Sequence, residues 1–540
     1  MIKYLLIFAS LFSLGYGNIK LEDINSKPPC HAKDFMIWQY LKQDITPLEA
    51  EEAYKQVDNN KSYKLFNAYA KKTDNKQIKY KLKCKSIAHL NTIKDEKCLD
   101  FAFTPYRATK LTSTQRSELS KKIKSKSKIE LLNILNEKHS LKAYKKYTPN
   151  TILTLFNSTG YKYRKKNLNI PMDKEFLNSL TNSWRISKFI QFIVHDDTFD
   201  KLQISLLKMD GENLNSKNNF YLALNHLRHK NKKQAIKFFK LSRLKAKHKI
   251  DVDKNDFWIF QITKDKKYLS KLLNSNDINI YTLFAKEQMD EKVENYFSNL
   301  VTESKDSNLS LSNPFHWDKI RKKIKTTKKE ELFELAQFYK EKEMLPVQAY
   351  IIQKAYKHNK HSYIMPYDKY LKGLSLDNKA LFYALMRQES LMIPAALSRS
   401  YALGLMQMMP FVTDDLSKRI DKPIKNYNDM FIPENNIRYS RAHIKWMQKS
   451  LYHPLFIVYA YNGGMGFFKR YLLKNKFKRG KYEPFLSMEM MTNNESREYG
   501  KKVLANYVMY KKILGEEISI VHLFDTLMKP KRTDRFREQG

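Results

Sequence analysis

The sequence predicts a mainly all-α protein in which an amino-terminal helical solenoid precedes an α-rich, more compact domain. Its 540 residues contain only 13 glycines and 16 prolines, too few for the turns that an all-β or α/β chain of this length requires. Four glycines precede residue 373 and nine lie at or after it, so a domain boundary is predicted near residues 372–376. The length itself predicts two or three domains, because it exceeds what one hydrophobic core usually serves.

The first seventeen residues have the pattern of a secretory signal peptide. Lys3 precedes an apolar run, Tyr4–Leu14, and the small residues Gly15 and Gly17 stand at the −3 and −1 positions of a cleavage point. The run is too short to span a bilayer comfortably, although an uncleaved anchor is the alternative. Because no later apolar segment is long enough, we expect export with removal of residues 1–17 and no stable membrane anchor afterwards.

Residues 18–305 are predicted to form an α-superhelical domain. Thr46, Pro47 and Glu49 combine a capping box with proline at the first helical position, and Thr112 with Gln115 forms a second capping box. Between positions 219 and 246 two amphipathic segments are joined by a short polar link, as in a helical hairpin repeat. Positions 306–372 add two or three helices, which predicts a helical linker domain.

The three cysteines lie near the amino terminus, at Cys30, Cys84 and Cys98. In an oxidising compartment Cys84 and Cys98 would close a short loop and leave Cys30 free. Three unpaired thiols are the alternative, because one sequence does not determine connectivity. No Cys/His spacing resembles a zinc site, and neither a metal nor a cofactor is predicted.

The formal net charge is +43, a value that brings nucleic-acid binding into consideration. Export and the even spread of lysine along the chain argue against a nucleic-acid partner. Most of these lysines are expected on solvated helix faces. If the charge has a use, it is attraction to anionic polymers of the cell envelope, which salt would weaken.

The segment around Glu389 carries the predicted chemistry. At helical spacing Leu381, Leu385 and Glu389 share one face, so the carboxyl lies on the stripe that faces the interior. Asp377 is predicted as the N-cap, and Pro394 ends the helix soon after Glu389. A buried carboxyl without a cation has a raised pKa and can act as a general acid near neutrality. A rotated helix with a solvated Glu389 is the alternative.

Three separated segments resemble the catalytic domain of the soluble lytic murein transglycosylases, a lysozyme-like family. They are Glu389–Pro410 with its ES…GLMQ-x-MP pattern, Ala460–Gly464 with AYNGG, and Glu495–Tyr499 with ESREY. The resemblance implies a lysozyme-like transglycosylase domain at 373–515, a carboxy-terminal extension at 516–540, and a ring-forming superhelix ahead of them. It also implies a periplasmic location.

The family resemblance implies an activity in which Glu389 acts first as acid and then as base. The substrate would be peptidoglycan glycan strands, cut between N-acetylmuramic acid and N-acetylglucosamine with formation of a 1,6-anhydro end. Other cell-wall enzymes are candidate partners. A muramidase that uses water and a non-catalytic murein-binding scaffold are the alternatives.

The resemblance assigns substrate contacts to eight further positions. They are Ser398, Gly404, Gln407, Met409, Tyr461, Asn462, Glu495 and Tyr499. Ser398 and Gln407 would hold the acetamido and lactyl groups, Gly404 would keep the cleft floor open, and Tyr461 with Glu495 would border the catalytic subsite. Two departures from the family pattern stand out: Tyr401, where glycine is frequent and where a large side chain would narrow the cleft, and Gly463, where alanine is usual.

Overall fold

The computed structural model describes residues 19–58, 62–303 and 308–538. The predicted signal peptide, residues 1–17, lies outside these ranges. The described chain is helical apart from one parallel pair of two-residue strands, β1 (Tyr296–Phe297) and β2 (His361–Ser362), with Tyr296 opposite His361. The mainly all-α fold class is therefore confirmed. None of the described helices is both long and apolar enough to cross a bilayer.

The described α-helices follow one another through short connections. Up to residue 275 they are α1 Leu21–Asn25, α2 His31–Tyr40, α3 Pro47–Lys55, α4 Tyr63–Lys72, α5 Lys76–Ser86, α6 Glu96–Ala102, α7 Pro105–Ala108, α8 Ser113–Lys122, α9 Lys126–Asn136, α10 Leu141–Tyr144, α11 Pro149–Ser158, α12 Tyr161–Tyr163, α13 Lys174–Ser179, α14 Ile186–Val194, α15 Asp200–Leu206, α16 Ser216–Arg228, α17 Lys232–Leu244, α18 Lys249–Thr263 and α19 Lys267–Leu273.

Beyond residue 275 the helices become longer around the predicted site. They are α20 Ile280–Gln288, α21 Pro314–Thr326, α22 Leu332–Gln337, α23 Leu345–Ala355, α24 Leu376–Ser390, α25 Pro410–Ser417, α26 Pro433–Gln448, α27 Pro454–Gly463, α28 Met465–Leu472, α29 Phe485–Glu489, α30 Asn494–Ile513, α31 Ile520–Thr526 and α32 Pro530–Thr533. Single 3₁₀ turns occupy Leu90–Thr92, Leu180–Asn182, Lys329–Glu331, Lys342–Met344, Asp368–Leu371 and Tyr427–Phe431, and a π turn occupies Arg164–Leu168.

The helix starts predicted from capping boxes are confirmed. Thr46 caps α3 and Thr112 caps α8, each with the reciprocal side-chain hydrogen bonds of the motif. The predicted hairpin is the pair α16 and α17. These two helices pack against each other through apolar faces that include the buried Phe220, Phe238 and Phe239.

The chain divides into two compact units, and the domain limits expected at 305, 372 and 515 stay predictions. One unit comprises the chain up to Asp74, Asn276–Pro484 and the chain from Asn493 onward; the other comprises Asn75–Ser275 and Phe485–Thr492. Because spacing along the chain does not show which segments meet in space, the membership of residues 19–74 in the unit that carries Glu389 was not predictable from periodicity.

The structure decides between the two expectations for the cysteines and changes the expectation for the carboxy-terminal tail. Cys84 and Cys98 form the disulfide, and Cys30 is a buried free thiol. The basic tail after Lys529 is expected to be mobile, but its described part, residues 530–538, contains α32 and packs through Arg537. The Arg537 guanidinium donates to the Phe477 carbonyl (2.9 Å) and to the carboxylate of Asp534, which has no exposed surface.

Candidate active site

Helix α24 positions Glu389, but its first residue is not the predicted one. Ser375 is the N-cap, because its hydroxyl accepts from the Asn378 amide (3.3 Å). Asp377 lies in the first turn instead and accepts from the Tyr507 hydroxyl (2.8 Å) and Lys511 Nζ (2.7 Å). The prediction of Asp377 as cap was wrong because serine caps equally well, and an acid in the first turn is favoured by the helix dipole.

The end of α24 agrees with the prediction that Glu389 lies in its last turn. The helix stops at Ser390 because Leu391 adopts a left-handed conformation with φ +52°. Leu381 and Leu385 are buried on the stripe that leads to Glu389. One turn before the end, the Arg387 guanidinium donates to the Ser362 carbonyl (2.7 Å) and to Asn506 Oδ1 (2.6 Å), which fixes this end of the helix against its neighbours.

Burial determines the protonation of Glu389. Desolvation raises the pKa of this carboxyl to about 7, and the charge of Glu495 acts in the same direction. The Tyr499 hydroxyl donates to Glu389 Oε1 (2.6 Å), which lowers the pKa but does not offset burial. A glutamic acid that is half protonated near neutrality can donate a proton and take one back in the same reaction.

The loop between Ala396 and Met409 is held from one side by Asn436. This fully buried amide donates to the carbonyls of Leu403 (2.9 Å) and Met430 (2.8 Å) and accepts from the Met406 amide (2.9 Å). Gly404 has φ +73°, and a Cβ there would lie 2.3 Å from both Asn436 Nδ2 and the Met430 carbonyl. The missing side chain of Gly404 thus makes room for Asn436, and the expectation that Gly404 keeps the cleft floor open stays a prediction.

Ser398 and Gln407 shape the same loop. The Ser398 hydroxyl accepts from the amides of Ser400 (3.2 Å) and Ala402 (2.9 Å). Gln407 Nε2 donates to the carbonyls of Ala396 (3.0 Å) and Gly404 (2.8 Å). Each side chain keeps capacity for a ligand, because the hydroxyl can still donate and the amide oxygen can accept. Met409 is the N-cap position of α25 and follows this loop directly.

Helices α27 and α30 bring the other predicted residues beside Glu389. The Tyr461 hydroxyl donates to the Met406 carbonyl (2.6 Å). Desolvation raises the pKa of this half-buried tyrosine well above its usual value, and the Glu389 charge acts in the same direction. Asn462 Oδ1 accepts from Ser496 Oγ (2.8 Å), and its Nδ2 lies 3.4 Å from Glu495 Oε1. Glu495 is exposed in the first turn of α30.

Two glycines allow the close approach of α27 and α30. A Cβ on Gly463 would lie 2.5 Å from Ser496 Oγ, and one on Gly500 would lie 2.2 Å from the Tyr459 ring. This approach places Tyr499, the residue before Gly500, against Glu389. Glycine at 463 is thus explained by its neighbour Ser496.

Tyr401 does not narrow the cleft as its size suggested. Its side chain has no exposed surface and its hydroxyl donates to the Asp34 carbonyl (3.4 Å) in α2. The ring centroid lies 5.1 Å from that of Trp38 and 5.7 Å from that of His31. The loop that bears Ser398 is therefore attached to an amino-terminal helix, because an aromatic ring gains more by burial against other rings than by exposure.

Two further contacts complete the attachment of this loop to the amino-terminal helices. His31 Nε2 donates to the Ser398 carbonyl (2.9 Å), and Lys64 Nζ in α4 donates to the Ser400 carbonyl (2.7 Å). Together with Tyr401 they hold three positions of a four-residue segment. We refer to residues 398–401 with these partners as the N-terminal latch.

The sequence argument did not identify the role of Asn436 or the amino-terminal partners in the latch, His31, Asp34 and Lys64. Asn436 could have been found, since it shares a helical stripe with the apolar Tyr439 and Met447, and a polar residue on a buried stripe needs hydrogen-bond partners. The latch has no such signal, because its two halves are more than 330 residues apart. Asp414, which follows the loop in α25, is engaged elsewhere: both of its carboxylate oxygens accept from the Tyr427 hydroxyl (2.8 and 2.9 Å).

A comparison with protein families matches the part of the chain that carries this site. Residues 374–483, which contain Glu389, the Gly404–Gln407 loop and Tyr461, match the family described as the transglycosylase SLT domain. Among the described residues, His, Cys, Asp and Glu side chains nowhere gather in a group that could hold a metal ion.

Individual relatives carry related names. The chain is 26% identical over 183 residues to the soluble lytic murein transglycosylase of Salmonella typhimurium, a match of 33% of this chain and 28% of that protein. It is 34% identical over 146 residues to membrane-bound lytic murein transglycosylase C of Photorhabdus laumondii, 23% of this chain and 40% of that protein. The matches thus span well under two thirds of these relatives.

Solved structures with a similar course of the chain include an inactive mutant of the lytic transglycosylase Slt from Pseudomonas aeruginosa. That likeness has a TM-score of 0.47 at 13% identity and covers 92% of this chain and 84% of the other.

Proposed function

We propose that this protein is a lytic transglycosylase that cleaves the β-1,4 bond between N-acetylmuramic acid and N-acetylglucosamine in peptidoglycan and leaves a 1,6-anhydro end. The observation that carries the proposal is the half-buried Glu389, whose carboxyl is desolvated so that its pKa rises to about 7 beside the Tyr499 hydroxyl. Such a carboxyl suits a reaction in which one group is acid and base in turn. The match of residues 374–483 to the SLT domain supports the same chemistry.

The proposed reaction moves one proton out and one proton back at Glu389. The protonated carboxyl donates to the glycosidic oxygen, and the bond from that oxygen to C1 of the muramoyl sugar breaks. The Glu389 carboxylate then takes the proton of the muramoyl C6 hydroxyl, while the C6 oxygen forms a bond to C1. Tyr499 orients the carboxyl throughout, and the Glu495 carboxylate faces the positive charge that develops at C1.

Substrate contacts are proposed for the loop and for α27. Ser398 and Gln407 would bind the acetamido and lactyl groups through the hydroxyl proton and the amide oxygen that remain available. Tyr461 and Asn462 would form the opposite wall, and Met409 would supply an adaptable apolar contact.

Hydrolysis by water is the second candidate, because Glu495 could serve as the second carboxylate of a glycosidase. Glycosidases usually use two carboxylates, one as acid and one to activate water or attack C1. Glu495 is close enough for its charge to affect the Glu389 pKa. If Glu495 activates water, the product has a reducing end. A binding scaffold without activity is less well supported, because such a protein has no need of a buried acid.

Product analysis tests these alternatives directly. Purified sacculi are digested in H₂¹⁸O with the native protein and with the Glu389→Gln and Glu495→Gln variants, and muropeptides are analysed by mass spectrometry. The proposal expects anhydro ends without ¹⁸O and a loss of at least about 10³-fold with Glu389→Gln, within the range that general acid–base catalysis contributes. Reducing ends carrying ¹⁸O, lost in Glu495→Gln, would favour the muramidase; full activity of Glu389→Gln would exclude the mechanism.

Export to the periplasm is part of the proposal. The signal-peptide pattern of residues 1–17 supports it. Cell fractionation followed by mass spectrometry should find a chain that begins at Asn18 outside the cytoplasm. A cytoplasmic chain that retains Met1 would contradict the proposed location. We propose peptidoglycan as the partner and other cell-wall enzymes as candidates to be identified by cross-linking.

A further inference from the structure

Helix α26 carries a stripe of polar and aromatic side chains that begins at the active-site loop. Asn436, near its start, binds the backbone of Leu403 and Met406. His443 and Trp446 follow seven and ten residues later, and these spacings bring them to the same side of an α-helix. The stripe therefore leads along one helix, away from the loop that contains Gly404 and Gln407.

Aromatic rings form a continuous path from Tyr461 along this stripe. The His443 ring centroid lies 5.8 Å from that of Tyr461 with an interplanar angle of 64°, and 5.7 Å from that of Trp446 with an angle of 18°. Each step is close to the length of one pyranose unit. Tyr461 itself donates to the Met406 carbonyl and lies close enough to Glu389 for that charge to act on it, so the path starts inside the proposed cleft.

The outer end of the path is accessible. Trp446 is 44% exposed, although indole is among the side chains that gain most from burial. His443 is half-buried, and burial together with the Arg419 charge lowers its pKa to about 4, so the imidazole is neutral at neutral pH. A neutral ring stacked under an exposed indole forms a flat, uncharged surface with an N–H donor at its edge.

We propose that His443 and Trp446 form a sugar-binding platform that extends the cleft beyond Tyr461 and binds one further sugar of the glycan strand. This inference rests on the proposed function, which supplies the strand. A pyranose ring presents a face of C–H groups that stacks on an indole, while its hydroxyls accept from the indole N–H and from water. Sites for such ligands are lined by aromatic side chains with a few placed polar groups, as this path is.

The platform predicts a preference for longer glycans. Soluble murein glycans of two, four and eight sugars are titrated into Glu389→Gln and into Glu389→Gln carrying Trp446→Ala, with binding measured by calorimetry. Loss of the indole should weaken the eight-sugar glycan about tenfold, as expected for one aromatic stacking contact, and leave the two-sugar glycan unchanged. Trp446→Phe should restore most of the affinity, because phenyl keeps a stacking face.

Trp184→Ala is the matched control, since Trp184 is 79% exposed in the other compact unit and stacks on Arg185. Equal affinity of the eight-sugar glycan for the Trp446→Ala and Trp184→Ala proteins would overturn the platform and leave the proposed reaction standing. An equal loss for two and eight sugars would also overturn it, since the indole would then act on the whole site. If Glu389→Gln binds none of the glycans, the platform and the proposed substrate are both wrong, whereas failure of the native protein to form anhydro ends tests only the reaction.

Discussion

At the scale of single residues, burial has a stronger effect on the Glu389 carboxyl than its two polar neighbours. The Tyr499 hydroxyl favours the charged form and the Glu495 carboxylate disfavours it, and the resulting pKa of about 7 shows that desolvation outweighs the hydrogen bond. The direction of this shift is predictable from the stripe of Leu381, Leu385 and Glu389. The hydrogen bond from Tyr499, 110 residues away, is not.

The raised pKa predicts how Glu389 affects stability. The folded protein binds the proton more tightly than the unfolded chain, whose glutamate pKa is about 4.3, so stability falls as the pH rises from about 4.3 through about 7. Glu389→Gln removes this dependence and keeps an oxygen that accepts from Tyr499. Thermal and urea unfolding should show little difference at pH 4.5 and a more stable variant at pH 8, by at most ~4 kcal/mol. Parallel pH profiles for the two proteins would contradict a buried, protonated Glu389.

At the scale of elements, the loop between Ala396 and Met409 is held by helices from distant parts of the chain. Asn436 in α26 holds Leu403 and Met406, and the N-terminal latch holds residues 398–401 from α2 and α4. Glu389 belongs to neither set, since α24 and α30 position it. The acid and the loop that would bind substrate are therefore supported by different helices.

Tyr401→Gly tests the latch. Tyr401 has φ +60°, which glycine adopts without strain, so the variant isolates the loss of the ring. Losing a fully buried aromatic side chain costs ~3–5 kcal/mol, less ~1 kcal/mol from relieved backbone strain. In assays of glycan cleavage we expect KM to rise more than kcat falls, because Glu389 is untouched.

Tyr401→Phe is the control for the ring itself. It removes only the 3.4 Å hydrogen bond to Asp34 and should change stability by no more than ~1 kcal/mol. If Tyr401→Gly lowers kcat and leaves KM unchanged, the latch acts on the acid and this account of the two supports is wrong.

At the scale of the whole molecule, part of the net charge of +43 is concentrated on one exposed helix face. Helix α17 contains no acidic residue, and its lysines at 232, 233, 237 and 240 are exposed. Exposed charges interact with a partner over about one Debye length, ~10 Å at 0.1 M salt. Such a surface favours retention on an anionic polymer without specifying its sequence or linkage.

Charge reversal on α17 tests the use of this surface. Replacing the four exposed lysines with glutamate should reduce co-sedimentation with sacculi at 0.05 M salt, and the difference should vanish near 1 M, where the Debye length is ~3 Å. Cleavage of a short soluble glycan should be unchanged. Replacement of the same lysines with arginine keeps the charge and should keep retention. Equal sedimentation of the glutamate variant at low salt would show that these lysines are only a solvated face.

The amino-acid sequence by itself determined the helical class, the helix starts at Thr46 and Thr112, and the place of Glu389 in the last turn of its helix. Capping and periodicity are local properties, and short segments express them wherever they lie in the fold. The resemblance of the motif segments to a family was also visible in the sequence alone, and the family model matches residues 374–483.

Only the tertiary structure decided what surrounds these residues. The Tyr499 hydroxyl donates to Glu389, and Asn436 fills the space beside Gly404. Tyr401 is buried against the amino-terminal helix α2. In the basic tail, Arg537 donates to Asp534. The two compact units each combine segments that are distant along the chain. Such contacts join positions hundreds of residues apart, and they form because apolar rings and buried polar groups need partners in space, which no periodicity along the chain encodes.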